Sequence, residues 1–339
     1  MNSYYPWHLP LWQEIWRSGY AEMPHAVLLH GSPGLGKLAF ALTLAKSLLC
    51  SARDAEHQAC GNCVSCRYFD HHAHPDFRHM LPEADQEPPD LAVTEAAGTK
   101  DKKGSEFITI NQIRSLTDFV SLTSHQSGCR VILIAPAEQL ILNAANGLLK
   151  MLEEPPGQTI FLLVTNQLSR ILPTVRSRCR LMRMPTPDPA QASAWLAEQG
   201  CAEPALNLAL AGHAPLEALR IAEDAEWHGQ RKTFCDALSD PERADVIGVA
   251  EWLQKSPAPQ AMRWLQTWIY DLVSLKTASK CCYHQDYIKA ITNLNKNIQL
   301  IDLLNFNREL SDSRRLIHHP LNPKLFWEFI LLKYFALFN

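Results

Sequence analysis

The chain has 339 residues, 47% of them hydrophobic, and a formal net charge of -3. This length is enough for two or three domains with apolar cores, and the charge predicts no general attraction to nucleic acid or to an anionic membrane. The start, MNSYYPWHLPLWQEIW, lacks a basic segment followed by an apolar core, and the apolar C-terminal run is interrupted by Glu328 and Lys333. We therefore predict a soluble, cytoplasmic protein without a signal peptide or a membrane span.

Short apolar runs alternate with amphipathic helical patterns in the first half of the chain. Five runs predict strands: AVLLH at 26–30, FRHML at 77–81, VILIA at 131–135, IFLLV at 160–164 and RLMRM at 180–184. Because helical patterns separate most of these runs, the sequence predicts an α/β domain with a mostly parallel sheet. The stretch at 82–106 is rich in charge, Pro and Gly, which predicts a surface excursion without a core of its own.

The first predicted strand is followed by GSPGLGKL, which has the Gly-x4-Gly-Lys spacing of a phosphate-binding loop. Glycines at Gly31, Gly34 and Gly36 allow backbone amides to converge on an anion, and Lys37 adds a positive charge. The next position, where a Ser or Thr hydroxyl would hold magnesium, is Leu38. The alternative interpretation is a glycine-rich turn that binds no ligand.

The acids that ATP hydrolysis requires are also missing from the expected place. The strand VILI is followed by Ala135 and Pro136, where an ATPase needs carboxylates for magnesium and for the attacking water. Glu138 comes two residues later, and we expect its carboxylate to be solvated. The loop is therefore predicted to be a degenerate phosphate loop that survives as scaffold, and ATP binding is in doubt.

Four cysteines have the spacing C-x9-C-x2-C-x2-C, and they are Cys50, Cys60, Cys63 and Cys66. Four thiolates complete the tetrahedral shell of a structural zinc ion and leave no position for water. We predict a zinc module at 50–66 that connects the helix after the phosphate loop to the next segment. The alternative is a set of reduced thiols without metal. Nearby, His74 is expected to belong to the entry of the next strand.

The second half of the chain has helical periodicity after MPTPDP at 184–189. We predict three domains: 1–185 with the sheet and the zinc module, 186–228 as a small helical domain, and 229–339 as a helical domain. From residue 263 to the end there are ten Lys or Arg and six Asp or Glu, with aromatic residues at helical spacing. This pattern favours an aromatic core with a basic solvated face over a nucleic-acid contact.

The segment LNAANGLLKMLEEPPGQTIFLLVTNQLSRILPTVRSRCRLMRM at 142–184, with CGNCVSC and HPDF upstream, resembles the clamp-loader branch of the AAA+ ATPases. The resemblance covers at least residues 25–184. It implies an AAA+ phosphate-loop sheet flanked by helices, an inserted zinc module with Cys ligands, a small helical lid domain and an all-α collar domain for assembly. The missing magnesium and acid positions imply a subunit that is not a motor, meaning that it does not hydrolyse ATP itself.

The resemblance gives a role to Arg178 in the motif SRC, namely an arginine finger that reaches the terminal phosphate of ATP bound to a neighbouring subunit. The alternative is that Arg178 belongs to a surface group of four arginines, with Arg176, Arg180 and Arg183, that form ion pairs or contact DNA. In the second domain, Pro215 stands where motor members have an Arg that touches the nucleotide.

The family has a further sensor position at the end of the strand IFLLV. There, Thr165 and Asn166 either face a terminal phosphate or simply cap the strand.

The implied function is that of a non-motor subunit that helps to load a sliding clamp onto primed DNA during replication. Its implied partners are the gamma or tau and delta subunits of a clamp loader, and it reaches the clamp and DNA through that complex. Two alternatives remain: an active ATPase subunit of the gamma or tau type, and a zinc-dependent DNA-binding adaptor. No carboxylate cluster suits two-metal chemistry, so any polymerase or nucleotidyltransferase activity would belong to the complex.

Overall fold

A computed structural model of the chain describes residues 4–17, 19, 23–85, 105–121, 128–241, 243–314 and 322–338. Most of the excursion predicted at 82–106 lies outside these residues. The chain divides into two compact units, 1–186 and 187–339. The predicted division into three domains, with its first boundary between 185 and 186, stays a prediction.

The first unit is built on a parallel sheet of five strands, which are β1 (Ala26–His30), β2 (Phe77–Met80), β3 (Arg130–Ile134), β4 (Thr159–Thr165) and β5 (Arg180–Arg183). Their order is β2-β3-β4-β1-β5, and every neighbouring pair is parallel. Each strand coincides with a predicted strand to within one residue at either end. The predicted α/β fold class is thus confirmed.

Helices connect the strands and cover the sheet, as the near-continuous burial of β3 and β4 requires. They are α1 (Leu9–Trp16), α2 (Lys37–Leu49), α3 (Val64–Asp70), α4 (Ile110–Ser121), α5 (Leu142–Glu153) and α6 (Pro173–Arg176). Side chains from α4 and α5 pack with Leu28, Ile132 and Phe161 of the sheet in one buried cluster. In a parallel sheet the carboxyl ends of the strands meet at one edge, so the segments after β1, β3 and β4 lie together.

The second unit is entirely helical among its described residues. Its helices are α7 (Pro189–Glu198), α8 (Pro204–Leu210), α9 (Pro215–Ala222), α10 (Ala225–Ser239), α11 (Val246–Lys255), α12 (Ala258–Ala278), α13 (Ile288–Leu294), α14 (Leu300–Ser313) and α15 (Pro323–Phe335). Aromatic side chains fill its centre: Trp268, Trp327 and Tyr334 are fully buried. The indole N–H of Trp268 donates to the Tyr334 hydroxyl at 2.9 Å. The predicted aromatic core is present.

The second predicted domain boundary, between 228 and 229, falls inside α10. One hydrophobic cluster includes buried residues on both sides of it, from Ala192 to Phe335. The structure describes 187–339 as one unit, and a further division into lid and collar stays a prediction. Within the described part of the chain, no helix combines the length and the apolarity needed to cross a membrane.

Candidate functional site

The four cysteines of the predicted zinc module converge, although nine or more residues separate the first from the other three. Their Sγ atoms all lie within 4.8 Å of one another. The Sγ atom of Cys50 is 3.6 Å from that of Cys60 and 3.8 Å from that of Cys63. Four thiolates bound tetrahedrally at about 2.3 Å from zinc lie about 3.8 Å apart. The donor set and its spacing therefore fit a structural zinc ion with no open ligand position.

Two helix ends position the cysteines. Cys50 is the C-cap of α2, and Cys63 is the N-cap of α3, where its Sγ accepts from the backbone N–H of Cys66 at 3.4 Å. The backbone N–H groups of Asn62 and Cys63 donate to the Cys60 sulfur and lower the pKa of that thiol. Backbone donors around sulfur favour the thiolate form that binds metal.

The zinc module is also attached to the rest of the unit by polar contacts. The hydroxyl of Ser65 donates to the Leu49 carbonyl oxygen at 2.6 Å, and Lys46 pairs with Asp70 at 2.6 Å. His74 is buried and lies outside the cysteine cluster, with its Nε2 atom 2.7 Å from the Ser65 hydroxyl. Its expected place at the entry of β2 is confirmed.

The predicted phosphate loop connects β1 to α2, in the strand-loop-helix context that the motif requires. Gly36 is the N-cap of α2 and has φ of +81°, in the left-handed region that favours glycine. Leu38 lies in the first turn of α2 and its side chain is 39% exposed. The structure therefore forms the loop and offers magnesium no hydroxyl at that position.

The Lys37 side chain turns into the loop. Its ammonium group donates to the carbonyl oxygen of Gly31 at 2.9 Å and to that of Ser32 at 2.6 Å. The residue is 4% exposed, and burial lowers the pKa of Lys37 to about 8, with the negative charge of Glu138 acting in the opposite direction. The cation that would attract a phosphate is thus hydrogen-bonded to the backbone of its own loop.

An aromatic turn near the N-terminus packs on the same loop. The indole N–H of Trp7 donates to the Leu35 carbonyl oxygen at 3.0 Å, and Nε2 of His8 contacts that oxygen at 2.8 Å. Burial lowers the pKa of His8 to about 4, so its ring is neutral near pH 7. A Cβ atom on Gly36 would lie 2.7 Å from the Tyr5 ring. These side chains cover the outer side of the turn that leads into α2.

Glu138, in the segment after β3, lies in a different environment from the one expected. Glu138 is half-buried rather than fully solvated, because the short turn at Ala137–Gln139 folds it back toward the end of β4. Its Oε1 atom accepts from the backbone N–H of Asn166 at 3.0 Å, and its Oε2 atom is buried without a hydrogen-bond partner among the described residues. The hydroxyl of Thr165 accepts from the N–H of Gln167 at 3.0 Å, which is a local strand cap.

A cavity of about 300 Å³ lies beside the loop, at the carboxyl ends of β1, β4 and β5. Its polar lining includes His30, Ser32, Asn166 and Arg183, and no carboxylate residue lines it among those the structure describes. Burial lowers the pKa of His30, and the positive charges of Arg183, Arg176 and Lys37 lower it further. The cavity is therefore polar and electropositive.

Arg178 lies at the surface, two residues after α6. Its Nε atom donates to Oε1 of Glu153 at 2.7 Å, its Nη2 atom donates to the same oxygen, and its Nη1 atom donates to the Thr174 carbonyl oxygen at 2.9 Å. The side chain is 31% exposed. The guanidinium is therefore accessible at the surface and held in one orientation.

Sequence reasoning identified the loop, the cysteines and Arg178 but missed the side chains that surround them. Glu153 lies in the stretch LEEPP and Arg178 in SRC, but the pairing of these two side chains is seen only in the structure. The turn at Tyr5–His8 and the position of Glu138 had no sequence signal, because both depend on contacts between segments 28 residues apart.

Comparisons with known proteins show the family of this chain. The family described as DNA polymerase III, delta subunit, matches residues 10–188, and its C-terminal counterpart matches residues 225–334. The DNA polymerase III subunit delta′ of Pseudomonas aeruginosa is 38% identical over 78% of this chain and 72% of its own length. The chain belongs to the DNA polymerase III delta′ family. The delta′ subunit of Yersinia pestis is 31% identical over 92% of this chain and 89% of its own length, and that of Escherichia coli is 28% identical over 94% and 97%.

Solved structures resemble this delta′ family member more distantly. A DNA polymerase III gamma subunit-related protein of Thermotoga maritima aligns over 98% of this chain and 100% of its own, with a TM-score of 0.42 and 16% identity. The ORC1 protein of Aeropyrum pernix in complex with DNA aligns over 91% and 84%, with a TM-score of 0.39 and 14% identity. Both scores are below 0.5, so the family assignment depends on the sequence matches.

The zinc content of the wild-type protein and of cysteine variants tests the cysteine cluster. Protein purified without chelator should contain one zinc ion per chain, measured by atomic emission. Cys63→Ser should lose that metal and unfold at a lower temperature, because metal binding contributes to folding. Cys201→Ser, which changes a half-buried cysteine outside the cluster, should keep the zinc. Wild-type protein without metal would contradict the assignment.

Proposed function

We propose that this delta′ family member is the non-motor subunit of a clamp loader, which helps to load a sliding clamp onto primed DNA. It turns over no ATP itself. Arg178 acts as an arginine finger in trans, reaching the terminal phosphate of ATP on a neighbouring gamma or tau subunit. The observation that carries the proposal is the surface guanidinium of Arg178, exposed and oriented by its own chain.

The state of the chain's own phosphate loop supports the first part of the proposal. Lys37 is hydrogen-bonded to the loop carbonyls, and Leu38 supplies no magnesium ligand. Ala135 follows the end of β3 without a carboxylate to bind magnesium or activate water. The lysine, the magnesium ligand and the catalytic carboxylate of an ATPase site are therefore each engaged elsewhere or missing. In this proposal, ATP is hydrolysed by another subunit.

The chemistry of arginine supports the second part. A guanidinium is planar, always charged near neutral pH and able to donate several hydrogen bonds to phosphoryl oxygens, which suits charge that spreads over them in the transition state. A finger must also extend from the surface of its own subunit. Arg178 meets this requirement without unfolding any element, since it lies two residues after the end of α6.

A second candidate is an active ATPase subunit of the gamma or tau type. Glu138 favours it, because a half-buried carboxylate beside the loop could replace the missing acids. Its Oε1 atom, however, already accepts from the Asn166 N–H, and Lys37 is engaged with the loop backbone. The non-motor function therefore accounts for more of the observed contacts.

Replacing the proposed finger tests its role. In a clamp loader reconstituted with gamma or tau and delta, Arg178→Ala should slow hydrolysis at the ATP site that it serves by a factor on the order of 10³ or more. The loss reflects missing charge stabilisation in the transition state. Single-turnover hydrolysis of radiolabelled ATP measures this loss. A single slow site reduces the amplitude of the rapid phase by the share of ATP bound at that site.

A matched control removes another surface arginine with carboxylate partners. Arg220 pairs with Glu217 at 2.9 Å and is 54% exposed, so Arg220→Ala should leave the rapid phase unchanged. If the Arg178 variant assembles and hydrolyses its full share of ATP, the arginine-finger assignment is wrong.

We place the predicted assembly surface on α15. Its exposed apolar residues Leu325, Phe329 and Leu332 are spaced four and three residues apart, on one side of the helix. The residues on the opposite side of the helix, such as Trp327 and Leu331, are buried. An exposed apolar stripe on a helix whose other side is already buried marks a contact surface, so this face indicates contact with another subunit. In the proposed clamp loader, that subunit is a gamma, tau or delta subunit.

Polar substitutions on that face test the assembly surface. Phe329→Ser with Leu332→Ser should weaken assembly with gamma or tau and delta by about 100-fold or more, since each buried apolar side chain contributes about 1.5–3 kcal/mol. Size-exclusion chromatography over a concentration series measures the shift.

The zinc content and the thermal unfolding of this double variant should stay unchanged. Leu142→Ser, which removes an equally exposed leucine from α5 in the first unit, is the control. Full assembly of the double variant would rule out this face of α15.

A further inference from the structure

Glu153 contacts Arg178 through one edge of the guanidinium. Both the Nε and the Nη2 atoms of Arg178 donate to the same carboxylate oxygen, Oε1. The Nη1 atom donates to the Thr174 carbonyl oxygen at 2.9 Å. The guanidinium is thus fixed from two sides, by the end of α5 and by a carbonyl of α6.

The position of Glu153 is itself determined by the fold. It is the last residue of α5, and Pro155 and Pro156 follow, where a helix cannot continue. Met151 and Leu152 are buried in the core of the first unit, which anchors this helix end. The Glu153 side chain is 48% exposed. A core-anchored helix end therefore presents a carboxylate at the surface beside Arg178.

The neighbouring arginines are not held in this way. Within the part of the chain that the structure describes, Arg180 reaches Glu14 only at 3.4 Å, and neither Arg176 nor Arg183 has a carboxylate oxygen within 4.0 Å. Of the four arginines between 176 and 183, only Arg178 has two hydrogen bonds to one carboxylate. The selective pairing indicates a role in orientation.

We propose that Glu153 is a positioning residue for Arg178, an inference that rests on the proposed function in trans. A guanidinium has five N–H donors in a planar fork. Glu153 uses the Nε–H and one Nη2–H along one edge, and the second Nη2–H remains for another acceptor. Glu153 thereby orients the arginine so that its outer end meets a phosphoryl oxygen of the neighbouring subunit's ATP.

The exposure of the pair sets the size of the expected effect. An exposed ion pair is a weak interaction, so its loss should change a rate by at most about fivefold. Loss of the Glu153 carboxylate should therefore reduce catalysis modestly and leave the fold intact. Loss of Arg178 itself removes the charge and should reduce catalysis far more.

The experiment measures single-turnover ATP hydrolysis in the reconstituted clamp loader with five variants of this chain, one of them a control. Glu153→Ala should lower the rate constant at the site served by Arg178 by about three- to fivefold, with little change in the ATP concentration that gives half the maximal rate. Glu153→Gln keeps an acceptor oxygen and should lose about twofold. Adding Glu153→Ala to Arg178→Ala should cause no further loss, because a positioning residue has no effect without its partner.

The control is Glu154→Ala, which removes the same charge one residue away, where no hydrogen bond to Arg178 exists. It should match wild type, and all variants should assemble with normal zinc content and thermal stability. If Arg178→Ala slows hydrolysis and Glu153→Ala does not, the positioning role is wrong and the finger stands. If Glu154→Ala is as slow as Glu153→Ala, the effect is one of net charge, and the positioning role is again wrong. If Arg178→Ala itself has no effect, the proposed function fails first.

Discussion

The ammonium group of Lys37 forms hydrogen bonds with the carbonyl oxygens of Gly31 and Ser32, and this interaction determines the state of the phosphate loop. A phosphate loop works because its lysine and its backbone amides face an anion. Here the lysine is buried and turned toward its own backbone, while Trp7 and His8 contact the Leu35 carbonyl oxygen from outside. The loop therefore stabilises the junction of β1 and α2, and in the proposed function the ATP is bound by a neighbouring subunit and reached by Arg178.

The fold of the first unit holds the segment around Arg178 in a fixed position. The parallel sheet fixes the ends of β4 and β5, and α5 and α6 pack against its core. The cysteine cluster connects the end of α2 to the start of α3, which a bound zinc ion would stabilise. A subunit that acts on a partner's nucleotide benefits from this stiffness, because an arginine contributes most when it is already oriented.

Much of this fold was predictable from the sequence, and the physical reasons are visible. Buried strands such as AVLLH and IFLLV are continuous apolar runs between helical patterns, so their boundaries were predicted to within one residue. The cysteine spacing identified the candidate metal site. The half-burial of Glu138 was not predictable, because a tight turn after β3 brings it to the Asn166 backbone. The cover formed by Tyr5–His8 also depends on packing between distant segments, which local patterns do not encode.

Nucleotide binding and hydrolysis by the isolated chain test the central claim most directly. Zinc-loaded protein without partner subunits should hydrolyse ATP no faster than buffer does, and Lys37→Ala should not change that background. Its affinity for ATP, measured by calorimetry with magnesium, should likewise be unaffected by that substitution. Magnesium-dependent turnover by the isolated chain that disappears in Lys37→Ala would contradict the account and would identify an ATPase subunit instead.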